Sequence, residues 1–186
     1  MINVLDKVQP KNRIQLEQLI DYAFKHNIYD LNFIDTSKIT DMSNLFMNCE
    51  YDIDVSNWDV SNVINMGCTF YNCNMFTGKG LENWDVSNVT NMSDMFYYCK
   101  KFDCDLSHWN VSNVTDTSVM FYYCYDFDSD LSNWNVSNVK DMSYMFTVCE
   151  NFKGKGLENW DVSKVEDMKY MFGGCDKITI PNWYKK

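Results

Sequence analysis

The sequence predicts an α/β solenoid with one short strand and one short helix per repeat of about 25 residues, closed by an N-terminal capping helix. Three observations carry that expectation. The first is a Trp-to-Cys spacing fixed at fifteen residues, from Trp58 to Cys73, Trp84 to Cys99, Trp109 to Cys124, Trp134 to Cys149 and Trp160 to Cys175. The second is an apolar stripe at i, i+3, i+4, i+7 inside each module, and the third is a period-two alternation between modules. From each Cys to the next Trp the spacing instead varies: nine, eleven, ten, ten, eleven and eight residues. A fixed module is therefore joined by adjustable connectors, and each unit buries its apolar face only against its neighbours.

Residues 1–34 read as the N-terminal cap and first strand of a single domain. Leu16, Leu19, Ile20, Ala23 and Phe24 form the stripe of an amphipathic helix over about residues 12–26, with polar residues opposite. Asn12 followed by Gln15 resembles a capping box, and Asn27 marks the end. Residues 28–33 read as a short strand. Six modules then fill residues 35–175, the first lacking its Trp. In each, a run such as Met92, Met95, Phe96 and Cys99 describes a two-turn helix with Asn91, Asp141 or Asp167 as N-cap.

The connectors carry the predicted strands. Residues 51–55, 102–106 and 127–131 alternate apolar or small residues with Asp. A second segment, Trp109-Asn110-Val111 for instance, could equally pair, and the sequence leaves both open. Copies two and five add a residue and two glycines (Gly78, Gly80; Gly154, Gly156), which fits a bulge or small turn. Ile178-Thr179-Ile180 reads as a last strand before Pro181, with residues 176–186 as a C-terminal cap and Trp183 and Tyr184 over the open end.

Composition narrows the function classes. A formal charge of −10 and a pI near 4.5 argue against binding nucleic-acid backbones. Six Trp, twelve Tyr and twelve Phe argue for a packed core. No run of about 20 apolar residues is present, so no membrane insertion is expected. The first residues show no basic stretch leading into an apolar one, so the expected location is cytoplasmic. Of eight cysteines, six (Cys49, Cys73, Cys99, Cys124, Cys149, Cys175) share one register. Stacked equivalents point the same way and do not converge as a disulfide requires, so buried free thiols are expected.

The reiterated string Asp85-Val86-Ser87-Asn88-Val89-Thr90-Asn91-Met92-Ser93-Asp94-Met95-Phe96, set beside a Trp, resembles the BspA-type leucine-rich-repeat surface proteins of bacteria. The resemblance covers about residues 35–175, and residues 10–20 and 34–43 resemble that branch's opening segment. It implies a curved, leucine-rich-repeat-like fold with concave strands and convex helices. It also implies no enzymatic activity, a cell-surface location, and roles in adhesion and protein binding.

Chemistry is hard to find among the residues themselves. His26 and His108 are the two histidines, neither placed for a nucleophile–base pair. Gly78-Lys79-Gly80 lacks the phosphate-loop frame. No catalytic, cofactor-binding or metal residue is expected. An Asp-ladder calcium protein is the weaker alternative, against local turns made by the same Asp and Asn side chains. Surface remains. Asp52, Asp54, Asp103, Asp105, Asp128 and Asp130 are expected to align as outward acidic rows, broken by Lys79, Lys153 and Lys155. They would suit a basic protein partner on the strand face. Tyr97, Tyr98, Tyr122 and Tyr123, joined by Tyr125, form the second candidate surface, suited to a partner; the alternative function is a structural or self-associating surface component that uses this side or the solenoid ends.

Overall fold

The computed structural model describes residues 7–185; the first six residues of the N-terminal cap and Lys186 lie outside them. Helix α1, Arg13–Lys25, is the one α-helix among the described residues. Asn12 caps it by accepting the Gln15 amide at 3.0 Å, while the Gln15 side chain accepts the Lys11 amide, one residue short of a full capping box. At the other end Asn27 turns left-handed (φ 55°), and the Asn27 and Ile28 amides return to Phe24 and Ala23. Leu16, Ile20 and Ala23 are buried. The Arg13 guanidinium reaches the carbonyls of Asp41 and Ser43, at 3.1 and 2.5 Å.

Beyond α1 the α/β solenoid expectation fails. The Met-Met-Phe-Cys stripes are not helices, and the described residues contain isolated bridges in place of strands. Each module is a run of consecutive tight turns. The Met95, Tyr97 and Cys99 amides donate to Met92, Asp94 and Phe96, three residues back, at 3.3, 3.1 and 3.0 Å. The amides between them leave the coil: Met92, Asp94, Phe96 and Tyr98 donate to Asp116, Ser118, Met120 and Tyr122 of the next coil, at 2.7 to 3.0 Å. Ser93 donates to the Asn91 side chain at 2.9 Å. Every amide from 92 to 99 thus has an acceptor. An eight-residue helix would leave its first four amides unpaired. That difference explains why the turns win in a stack.

The turns need left-handed residues at two places per run, Asp94 (φ 55°) and Tyr98 (φ 60°) in this coil. The same four-bond junction recurs five times between the coils that begin at Met42 and Met168. Parallel single-residue bridges run through Asp41, Asn65, Asn91, Asp116, Asp141 and Asp167 in the same register.

The predicted connector strands are corrected for a local reason. Ile53, Val55, Phe102, Leu106, Phe127 and Leu131 are buried as the alternation requires. However, Asp54, Asp105 and Asp130 each accept the amide two residues on, from Ser56, Ser107 and Ser132, at 2.9 to 3.0 Å. That bond folds the chain into a turn where a ladder would continue. Residues 28–33 supply one bridge, Asp30 to Asp54, and Thr179 one bond to Lys153. The Trp-Asp/Asn-Val segments turn likewise: Asp59, Asp85, Asn110, Asn135 and Asp161 accept from the Ser two residues on. The extra residue of copies two and five makes a 3₁₀ turn, Leu81–Asn83 and Leu157–Asn159. Gly80 (φ 90°) must be glycine there, since a Cβ would stand 2.2 Å from the Ser56 Cβ.

Side chains repeat at the same period. Phe46, Phe70, Phe96, Phe121, Phe146 and Phe172 stack at 5.4 to 5.9 Å. Phe76, Phe102, Phe127 and Phe152 form a second column against them. Trp58, Trp84, Trp109, Trp134 and Trp160 each donate Nε1–H to a Leu or Val carbonyl one coil back. Trp183 does the same to Leu157 at 2.7 Å, a sixth rung beyond mere end-covering. The register-sharing thiols from Cys73 onward donate to the preceding coil's Phe carbonyl at 2.7 to 3.0 Å, and all eight cysteines are free. Burial pushes the Cys99, Cys124, Cys149 and Cys175 thiols up, Cys175 to about 11, which keeps them protonated as donors.

Phe121 is fully buried and stacks on Phe96, Phe127 and Phe146. Phe121→Ala is expected to cost about 3–5 kcal/mol in denaturant unfolding. A loss no larger than that of exposed Lys101→Ala would contradict this packing.

Candidate functional site

Of the six acidic positions, Asp54, Asp105 and Asp130 open turns, and most of the six are engaged within the molecule. Asp52 accepts the Thr77 amide at 3.0 Å and Asp128 the Lys153 amide at 2.9 Å, each from the next coil. Lys79 pairs with Asp54 at 3.1 Å, Lys153 with Asp128, and Lys155 with Asp130. The lysines that seemed to interrupt the rows are therefore their counter-ions. Asp105 takes the Ser107 amide and the Ser129 hydroxyl. Asp103 is exposed, and its carboxylate has no bond among the described residues. What these rows offer a basic partner is consequently small.

Protonation states follow the same contacts. Burial pushes Asp54 up, but hydrogen bonds from Ser56, Asn32 and Lys79 outweigh it and hold the carboxyl well below its ordinary value. Lys155 and Ser132 lower Asp130 to about 2. Each such ion pair is exposed on its lysine side, so its contribution to stability is small.

The tyrosines form a continuous feature. Tyr71, Tyr97 and Tyr122 stack in sequence at 4.4 and 5.3 Å, all half-buried. At the next coil the equivalent position is Thr147, and the line passes to Tyr144 at 6.2 Å and then Tyr170 at 5.2 Å. One aromatic ribbon thus crosses five coils. Tyr98, Tyr123 and Tyr125 flank it and meet one another edge to face, and the Lys100 ammonium lies 4.6 Å from the Tyr98 ring. Tyr71, Tyr144 and Tyr170 extend the set expected from sequence. Tyr71 shares the register of Tyr97 and Tyr122, a signal that was there to use. Tyr144 and Tyr170 occupy another register and join only through the packing.

Four of these residues, Tyr98, Tyr123, Tyr144 and Tyr170, take the left-handed conformation (φ 53° to 60°). Asn48, Asn72, Asp94 and Gly174 hold equivalent places in other coils. A bulky side chain there costs about 1 kcal/mol or more relative to glycine. Val119 and Val148 share the conformation, so ring chemistry is not its only use.

A scan against family models matches residues 14–79 and 68–183 to the family described as "Mycoplasma protein of unknown function, DUF285". The chain belongs to this family. No curated protein and no solved structure matches it. The two matches overlap at residues 68–79, as internal repetition of a DUF285 unit requires. Among the described residues of this DUF285 chain, no group of three or more His, Cys, Asp or Glu is placed to hold a metal ion. His26 packs on Tyr22 at 4.1 Å, and His108 is exposed on a connector turn. No helix among the described residues is long and apolar enough to cross a membrane.

The Asp54 contacts have a sign that can be measured. A carboxyl depressed in the folded state stabilises above its unfolded value, about 3.9, and loses that effect as pH falls through the folded value. Asp54→Asn is expected to be less stable than the parent at pH 7, with the gap closing below about pH 4. A gap unchanged from pH 7 to pH 2 would show that the charge is not what the site uses.

Proposed function

We propose that the chain is a non-enzymatic repeat scaffold that binds a protein partner through its tyrosine ribbon. The carrying observation is the half-exposed line Tyr71, Tyr97, Tyr122, Tyr144 and Tyr170, flanked by Tyr98, Tyr123 and Tyr125. Tyrosine supplies a large, rigid contact area with a polar tip, and it is enriched where proteins meet. Stacking holds each ring before a partner arrives, so little rotamer freedom is lost on binding. The left-handed backbone at four of these positions supports selection for the ring at some expense of stability.

The acidic side is the poorer surface because its lysines already neutralise Asp54, Asp128 and Asp130. Resemblance of the motif to BspA-type surface proteins supports a binding role, although these coils are not leucine-rich-repeat units. The eight free thiols support a reducing compartment such as the cytoplasm.

The test compares two variants in affinity capture from a source extract: Tyr97→Ser/Tyr122→Ser/Tyr123→Ser and Asp103→Asn/Asp105→Asn. A specific partner should lose at least roughly tenfold in affinity with the first and bind the second normally, since interface aromatics dominate binding energy. Matched circular dichroism and melting guard against unfolding. Loss confined to the Asp variant would move the site to the acidic side. Concentration-dependent light scattering abolished by the Tyr variant would make self-association the function of the ribbon.

A further inference from the structure

We propose that the C-terminal end of the stack is a docking site for a segment of another polypeptide, which lays its main-chain carbonyls along the amides of Met168, Tyr170, Phe172 and Gly174. The inference rests on the junctions within the molecule and is independent of the tyrosine ribbon. At each of the five junctions, four alternate amides of one coil donate to four carbonyls of the next. Met142, Tyr144, Phe146 and Val148 do so to Asp167, Lys169, Met171 and Gly173. In the last coil the four equivalent amides have no acceptor among the described residues. Residues 177–184 bond back to the preceding connector, through Thr179 to Lys153 and Trp183 to Leu157, and pack Trp183 and Tyr184 against Phe172, but supply no acceptor to the four amides.

The space beside those amides is a groove of 980 Å³. Met168, Phe172, Cys175, Ile178, Ile180 and Tyr184 line it. In the interior coils the residues equivalent to Met168 and Cys175 are buried; here they are half-buried, and Ile180 is 38% exposed. Amides that point into an open groove beside apolar surface can be taken up by an added chain, as in recognition by strand addition. An occupant would continue an interface the molecule already makes five times.

Hydrogen-bond polarity chooses the occupant. A second copy docking end to end would set donors against donors. A second copy docking head to tail would need the first coil's carbonyls, and Arg13 on α1 already holds those of Asp41 and Ser43. At the N-terminal end Arg13 takes two of the four ladder carbonyls and α1 lies beside the other two, those of Leu45 and Met47, whereas at the C-terminal end all four amides lack an acceptor among the described residues. The fitting partner is therefore a turn-forming segment of another protein that offers carbonyls at alternate residues and apolar side chains at the Met and Phe positions.

The probe is an acetylated, amidated peptide with the sequence of residues 139–150 of this chain, titrated into the full chain by calorimetry. One-to-one binding is expected, with slowed hydrogen exchange at the amides of Met168, Tyr170, Phe172 and Gly174. A shuffled peptide of the same composition should not bind. Ile180→Asp, which puts a charge in the groove at an exposed position, should weaken binding by roughly tenfold or more, equivalent to about 1.4 kcal/mol. Tyr97→Ser should bind the peptide normally, which separates this site from the ribbon. Absent binding, equal binding of the shuffled peptide, indifference to Ile180→Asp, or unchanged exchange at the four amides would each overturn the proposal. Self-association that Ile180→Asp abolishes would overturn it too, by making a second copy the occupant.

Discussion

Everything in this molecule depends on alternate amides leaving their own coil. Within residues 92–99, three N–H groups close turns, one bonds the Asn91 side chain and four cross to the next coil. A helix keeps all such bonds within itself and needs its neighbours only for packing. Here no coil can satisfy its backbone alone. Stability is accordingly a property of junctions, as expected for a quasi-one-dimensional array. The ends become the special places: at one, Arg13 on α1 takes two ladder carbonyls, and at the other four donors have no acceptor among the described residues.

The side-chain columns enforce the same register. Trp Nε1, the Cys thiol and the Asn amide each bond a carbonyl one coil back. Asn62, Asn88, Asn113 and Asn138 reach Ser37, Ser61, Ser87 and Ser112 at 2.7 to 2.9 Å. At the last coil Lys164 replaces this Asn and bonds Asn138 instead. These residues need a fixed separation from the turn run, and that need holds the Trp-to-Cys spacing constant. The connector carries fewer crossing bonds and can absorb an extra residue through Gly80 or Gly156. A surface built on such a frame is rigid and periodic, which keeps an aromatic ribbon preformed.

The repeat, its burial pattern, the cap helix and the reduced thiol column were all legible in the sequence. The local conformation was not. Buried residues at i, i+3, i+4 and i+7 fit two turns of a helix, and they fit two three-residue turns equally well. The distinguishing sign is Asn, Asp or Gly at the two left-handed places of a run, present at five of the twelve: Asn44, Asn48, Asn72, Asp94 and Gly174. Tyr and Val at those places in the central coils mask it. The connectors misled for a related reason: alternation is shared by strands and by extended chain broken at every Asp-x-Ser turn. Of the candidate surfaces, the tyrosines were visible as residues but not as a ribbon. The counter-ion role of Lys79, Lys153 and Lys155 depended on coil register, which sequence spacing alone did not reveal.

The most direct test of this account is the sign of the glycine-minus-alanine difference at Asn44 and Asp94. Both residues sit at left-handed positions (φ 59° and 55°) inside runs that sequence periodicity assigns to helices. Unfolding of the four variants Asn44→Gly, Asn44→Ala, Asp94→Gly and Asp94→Ala removes each native side chain in both members of a pair. The turn-built coil expects glycine to be the more stable of each pair, by about 1 kcal/mol. Alanine more stable by about 1 kcal/mol at both sites would mean helical modules and would contradict the account.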